Sequence, residues 1–149
     1  MSEAAGVVEV SEAEDEKEQV NAWLRAFNVE HLTEYMRAYE AGELPKFLLV
    51  SRDADGGVQG GAFCSIAFLW VRIDLLVVAP EWRGKGIGSA LVADAERRGT
   101  EAGCRYSYVD TVTFQAPGFY AKQGYREVGR VPNWTSFGHD KVIFVKDLA

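Results

Sequence analysis

Two cysteines and no long apolar run set the first limits on this sequence of 149 residues. Cys64 and Cys104 fall in separate expected elements. They have neither metal-site spacing nor the pattern of a disulfide framework. They read as lone buried thiols, which suits a reducing cytoplasm. No apolar stretch approaches the roughly 18 residues of a membrane span. The opening Met1–Gly6 is acidic, with no basic stretch ahead of an apolar one, so no secretory signal is expected. Positive charge is scarce: 16 Lys and Arg stand against 22 Asp and Glu, a formal charge of −6. That argues against nucleic acid, whose binding draws on phosphate neutralisation. It suits a cationic partner such as an amine. Repeats, linkers and low-complexity tracts are absent. Apolar residues, at 48%, suffice for one domain over 1–149.

The chain is organised around Leu75 to Leu91. Leu75–Val78 is a short apolar run of the kind a strand buried on both faces needs. Pro80 cannot donate to a ladder, so pairing should stop there. Arg83, Gly84, Lys85, Gly86, Ile87, Gly88 and Ser89 follow. Glycines at 84, 86 and 88 let main chain approach a ligand closely. A helix starting near Gly86 or Ile87 turns its free N–H groups toward the turn. The result is an anion cradle, and diphosphate is its commonest guest. A P-loop is excluded, because Lys85 precedes the last two glycines. A dinucleotide fingerprint would need glycine at Ser89 and a place early in a βαβ unit.

What fits is R-x-x-G-x-G, filled by Arg83, Gly86 and Gly88. A second stretch, Gln115 to Tyr125, carries F-Y-x-x-x-G-[FY] in Phe119, Tyr120, Gly124 and Tyr125. The two together, in this order, resemble the acyl-CoA-dependent N-acyltransferases of the GNAT superfamily. The resemblance runs from Phe47 to the C-terminus; the first forty residues share only the pattern.

Taken in order, Val7–Val10 reads as a strand. Ser11 is placed to cap an acidic helix start. Val20, Trp23, Leu24 and Phe27 form one apolar stripe, and Leu32, Tyr35, Met36 and Tyr39 repeat the spacing. Two helices broken near Asn28 are expected. Phe47–Arg52 and Val58–Phe68 read as a hairpin about Asp53–Gly57. Gly60 and Gly61 mark a bulge or a close backbone approach. Trp70–Val78 is a strand, with Val71, Ile73, Leu75 and Val77 on one face and Arg72, Asp74, Leu76 and Val78 on the other. A helix to about Ala102 follows, despite Gly99. Then come a strand Arg105–Thr113, a short helix Pro117–Gln123, and a closing pair Tyr125–Val131 and Lys141–Lys146. The resemblance implies the α/β GNAT fold: a mixed, mostly antiparallel sheet with helices on both faces. It splits between its fourth and fifth strands, here Trp70–Val78 and Arg105–Thr113. Exposed edge strands leave room for a homodimer.

Acyl transfer to an amine needs the thioester held, its oxyanion stabilised and protons moved. The resemblance gives the diphosphate to the 83–89 turn and the pantetheine to main chain at Leu76, Val77 and Val78. Gln115 stands near the position of the family's pantetheine-binding asparagine. The resemblance also makes Tyr120 the general acid toward the thiolate. Asp74 is the first candidate for general base, although it could instead pair with Arg72. Asp110 is the second, and with Tyr35 and His139 belongs to the expected acceptor side. The resemblance, in which the first two helices wall the acceptor cleft, puts Tyr39 on that side with Tyr35. Neither cysteine lies in a nucleophile motif, so direct attack in a ternary complex is expected. The expected activity moves acetyl from acetyl-CoA to a primary amine, most simply a small molecule, without metal. A protein N-terminus or lysine as acceptor, and a non-catalytic acyl-CoA sensor, stay open on sequence alone.

Overall fold

A computed structural model describes residues 6–41, 44–115 and 117–148, and the side chain of Tyr39 lies outside the described set. The chain divides into two compact units, Met1–Glu43 and Leu44–Ala149. The first holds two helices. α1 (Glu14–His31) opens on Glu14, Asp15 and Glu16, which place negative charge at the positive helix end. Its N-cap is Ala13, not Ser11; the Ser11 hydroxyl instead accepts the Ala13 N–H at 3.2 Å. The break comes at Leu32 rather than Asn28, and α2 (Thr33–Glu40) follows at once. Thr33 Oγ1 donates to the Val29 carbonyl at 2.6 Å across the joint. Val7–Val10, expected as a strand, is irregular and exposed. Without a neighbour to pair with, so short an apolar run has no reason to stay extended.

The second unit is a six-stranded mixed sheet in the order β1-β2-β3-β4-β6-β5. Its strands are β1 (Lys46–Arg52), β2 (Val58–Ala67), β3 (Trp70–Val78), β4 (Tyr106–Val112), β5 (Arg126–Val131) and β6 (Lys141–Asp147). Two helices belong to it, α3 (Ile87–Glu101) and α4 (Pro117–Lys122). Asp53 Oδ1 closes the first hairpin, accepting the N–H groups of Asp55 and Gly57 at 2.9 and 2.8 Å. Leu91, Val92 and Ala95 of α3 share one core with Leu49, Ala62 and Ile73 of the sheet and Tyr120 of α4. Gly60 meets the expectation of close approach: a Cβ there would stand 2.8 Å from the Val77 carbonyl oxygen.

Two features of β3 shape everything functional. Its parallel ladder with β4 runs from Trp70–Tyr106 to Ile73–Val109 and then stops. The expected split is therefore present between the expected segments. They are the third and fourth strands here, because Val7–Val10 adds none. Secondly, Phe63 pairs with Leu75 while Cys64 pairs with Ile73, so Asp74 is the extra residue of a β-bulge. The bulge reverses the alternation. Leu76 turns to the core, whereas Leu75 and Val77 face away, 50% and 53% exposed. This corrects both the expected faces and the expected two-sided burial of Leu75–Val78.

Gly99 lies in α3 because the helix rests directly on β3. A Cβ there would stand 2.7 Å from Val71 Cγ1 and 2.8 Å from Val71 Cβ. Gly99→Ala is expected to cost about 1–3 kcal/mol by overpacking. That outweighs a gain of about 1 kcal/mol in helix propensity. Urea unfolding checks it; a raised midpoint would mean that α3 lifts off Val71 freely.

Candidate active site

Beyond Ile73 the edge of β3 that faces β4 has no ladder partner among the described residues. Its main-chain groups are open to an extended ligand, which can add to such an edge as another strand does. Leu76, Val77 and Val78 present this edge. Because the contact is through backbone, side-chain identity there says little. The Val78 carbonyl takes Arg83 Nε at 3.1 Å, so Arg83 ties the turn to the strand end.

A 3-10 turn at Pro80–Trp82 ends the strand and leads into the glycines. Gly84 (φ +74°) and Gly86 (φ +82°) are left-handed, and a Cβ at either would meet no protein atom. Backbone shape, not crowding, demands glycine there. Gly86 is the N-cap of α3, with no side-chain cap and no acidic residue in the first turn. The N–H groups of Ile87, Gly88 and Ser89 therefore lack the usual capping partner and suit an anion. Lys85 adds charge, its Nζ 4.8 Å from the centre of the Trp82 ring. Gly88 has a different reason for being glycine: a Cβ would press on Phe119 Cζ at 3.3 Å. Ser89 Oγ accepts Gln123 Nε2 at 2.9 Å. The two signature stretches thus touch, Phe119 on Gly88 and Gln123 on Ser89.

Those contacts seat Tyr120. It is buried among the rings of Phe119, Tyr125 and Phe144. The Tyr125 hydroxyl bonds Ser107 Oγ at 2.7 Å. Burial, and then the charge of Asp110, push the Tyr120 phenol up to about 12. It stays protonated at neutral pH. Asp110 accepts the Tyr108 hydroxyl at 3.1 Å and has Lys141 Nζ at 3.7 Å. Asp74 is exposed on the bulge and has no ion pair among the described residues. Arg72, its expected alternative partner, lies over the Tyr108 ring instead, 5.2 Å from the centre. Burial, with Asp74 adding to it, raises the Cys64 thiol to about 11. Cys104 is buried too and shifted the same way. Neither thiol is placed to be a nucleophile.

Residues 38–127 match the family model of the acetyltransferase (GNAT) domain. The blasticidin-S acetyltransferase of Streptomyces morookaense is 38% identical over 110 residues, covering 73% of this chain and 80% of that protein. The chain belongs to the GNAT acetyltransferases. The crystal structure of an acetyltransferase from Bacillus cereus ATCC 14579 superposes with a TM-score of 0.80 at 31% identity, over 95% of this chain and 97% of that one. An aminoglycoside 6'-N-acetyltransferase complexed with coenzyme A shares the fold, with a TM-score of 0.63 at 17% identity, over 93% of this chain and 96% of that one.

Other expected residues of this GNAT site are spread more widely. Gln115 bends back on its own strand end, its Oε1 3.4 Å from Thr111 Oγ1 and 3.5 Å from the Val112 N–H. His139 packs edge-on against Phe114, ring centres 5.0 Å apart. Tyr35 lies in the helical unit, lining a cleft of about 370 Å³ with Asn21, Leu24, Asn28 and Met36. Sequence reasoning missed Trp82, Phe119, Gln123, Tyr108, Trp134 and Lys141. Phe119 and Gln123 had a signal in their spacing: four residues apart, one in α4 and one just past its end, both reach α3. Trp82 contacts Lys85 within the turn, whereas the places of Tyr108, Trp134 and Lys141 depend also on partners distant in sequence that no local pattern reveals.

Proposed function

We propose that this GNAT acetyltransferase moves an acetyl group from acetyl-CoA to the primary amine of a small molecule, by direct attack in a ternary complex. The observation that carries the reading is the continuous backbone surface from the unpaired edge of β3 to the start of α3. An unpaired strand edge suits the amide-bearing pantetheine arm. The turn beyond it, with space above Gly84 and Gly86, suits a diphosphate. Leu76, Val77 and Val78 would hold the first. Main chain at Arg83–Ser89, aided by Arg83 and Lys85, would hold the second.

Tyr120 is the donor assigned to the departing sulfur, and its contact with Phe119 and Tyr125 fixes the ring. Asp110, the first β4 residue past the last rung shared with β3, belongs to the acceptor side of this reading. Its charge acts on the buried Tyr120 phenol. Asp74, on the bulge beside the split, is the second carboxylate within reach and would take the proton directly or through water. The buried, weakly acidic thiol of Cys64 supports direct attack over an acyl-enzyme. The relative named for blasticidin-S and the neighbour named for aminoglycosides support a small-molecule acceptor. His139 and Gln115 keep lesser places in this reading.

Calorimetric titration tests it. Acetyl-CoA, propionyl-CoA and free CoA are expected to bind in the micromolar range, and NAD to give no heat. A thiol-release assay over a panel of amines then finds the acceptor class. Absence of heat from every CoA species would overturn the reading.

A further inference from the structure

Lys141 and Lys146 stand on the same strand and are held very differently. Lys146 Nζ is fixed by both oxygens of Glu96 at 2.8 and 3.0 Å and by the Gln123 carbonyl at 2.8 Å. That is a structural lysine. Lys141 Nζ has a loose pair with Asp110 Oδ1 at 3.7 Å and lies over the Trp134 ring, 4.5 Å from its centre. The first distance exceeds that of a charge-assisted hydrogen bond. Both contacts are of the weak, partly exposed kind. A cation resting between an aromatic face and a carboxylate is a recognition geometry filled by the chain itself.

The surroundings are built to hold that geometry. Tyr108 donates to Asp110 Oδ2 at 3.1 Å. The loop carrying Trp134 is tied at several points. Asp140 Oδ1 accepts the Asn133 N–H at 2.9 Å, and Asn133 Oδ1 accepts the Gly138 N–H at 2.7 Å. The main chains of Thr113 and Asp140 join at 3.0 Å, and the Asp140 N–H reaches Thr113 Oγ1 at 3.1 Å. The aromatic face is thus fixed at the end of β4, beside the carboxylate whose charge acts on Tyr120. Preorganisation of this kind favours a ligand, since little must be ordered on binding.

We infer that Asp110, Tyr108 and Trp134 form a subsite for a second positive group on the acceptor, and that Lys141 is its internal occupant. The inference rests on the acetyltransferase reading above. The acceptor is then a molecule with at least two basic groups, one acetylated and one exchanging with the Lys141 ammonium. Lys141 is a specificity-determining residue: it lowers the apparent affinity of that second group by the fraction of time it fills the subsite.

The test compares cadaverine with n-pentylamine, equal in chain length and differing by one amine. The ratio of their kcat/KM values with acetyl-CoA is the readout. Wild type is expected to prefer the diamine. Lys141→Met is expected to raise the ratio at least about fivefold by removing the competitor. Trp134→Ala is expected to bring the ratio down toward the purely statistical preference given by cadaverine's two equivalent amines. A merely structural role for Lys141 would change both amines together. Acetyl-CoA affinity of each variant, measured by calorimetry, checks that fold and donor site survive. A ratio unchanged or lowered in Lys141→Met would overturn the inference, as would no turnover of either amine by protein that binds acetyl-CoA. Failure of the wild type to bind acetyl-CoA would instead remove the reading beneath it.

Discussion

Tyr120→Phe is expected to lower kcat and kcat/KM together by about 10–100-fold, with little change in acetyl-CoA affinity. The size follows from what the phenol can do. Its raised pKa, about 12, makes it a weak acid. A thiol of ordinary pKa near 8.5 is the stronger acid, so full proton transfer from Tyr120 to the thiolate is uphill by about 5 kcal/mol. In the proposed mechanism Tyr120 would therefore act as a hydrogen-bond donor to the sulfur as charge builds on it, while the amine would supply the net proton. A hydrogen bond to a charged group is worth about 1.5–3 kcal/mol, which gives the expected loss. Removal of an interaction made only in the transition state leaves donor affinity intact. The sign of the pH effect follows as well. The active form is protonated and is lost only as pH rises toward about 12. The rate should climb with pH as the amine loses its proton, with no falling limb from Tyr120 below about pH 10. A wild-type limb falling near pH 8–9 and absent in Tyr120→Phe would sink this assignment. So would unchanged turnover in the variant.

Legibility in the sequence follows the range of the forces involved. The glycine turn and the helix after it are local. Backbone freedom at Gly84 and Gly86, the stop at Pro80 and the start at Ile87 are written within a few residues, and the helix begins where expected. The split in the sheet was legible through the two signatures and falls between the expected segments. The bulge at Asp74 was not. Strict alternation through Trp70–Val78 hides it, because a bulge is a property of the pairing with Phe63 and Cys64 rather than of β3 alone. The error it caused was specific: Leu75 and Leu76 exchanged faces. Val7–Val10 erred for the opposite reason. Its apolar run fits a strand locally, and strand formation needs a neighbour that this segment lacks. Asp110 was weighed second to Asp74 from sequence. Its place beside Tyr108 and Lys141 comes from β4 and β6, which the sheet brings together.

Gly86→Ala is expected to raise the Kd for acetyl-CoA at least about tenfold, a loss of 1.4 kcal/mol or more. Strain alone could lower affinity, since φ +82° strains any side chain. Left-handed backbone costs a non-glycine residue roughly 1–2 kcal/mol wherever it occurs. Gly103 provides the control. It has φ +92° just past α3, and a Cβ there meets nothing within 4 Å, as at Gly86. The two alanine variants should therefore lose similar stability by urea unfolding. They should differ in donor binding. The space above Gly86 faces the uncapped start of α3, and a methyl group placed there would fill volume that a diphosphate over those N–H groups needs. The space above Gly103, at the opposite end of the helix, has no such role. Equal losses of affinity would trace the effect to helix strain. Unchanged affinity in both would mean that the glycine turn binds nothing. A loss confined to Gly86→Ala would identify the empty volume above the turn as the donor's own.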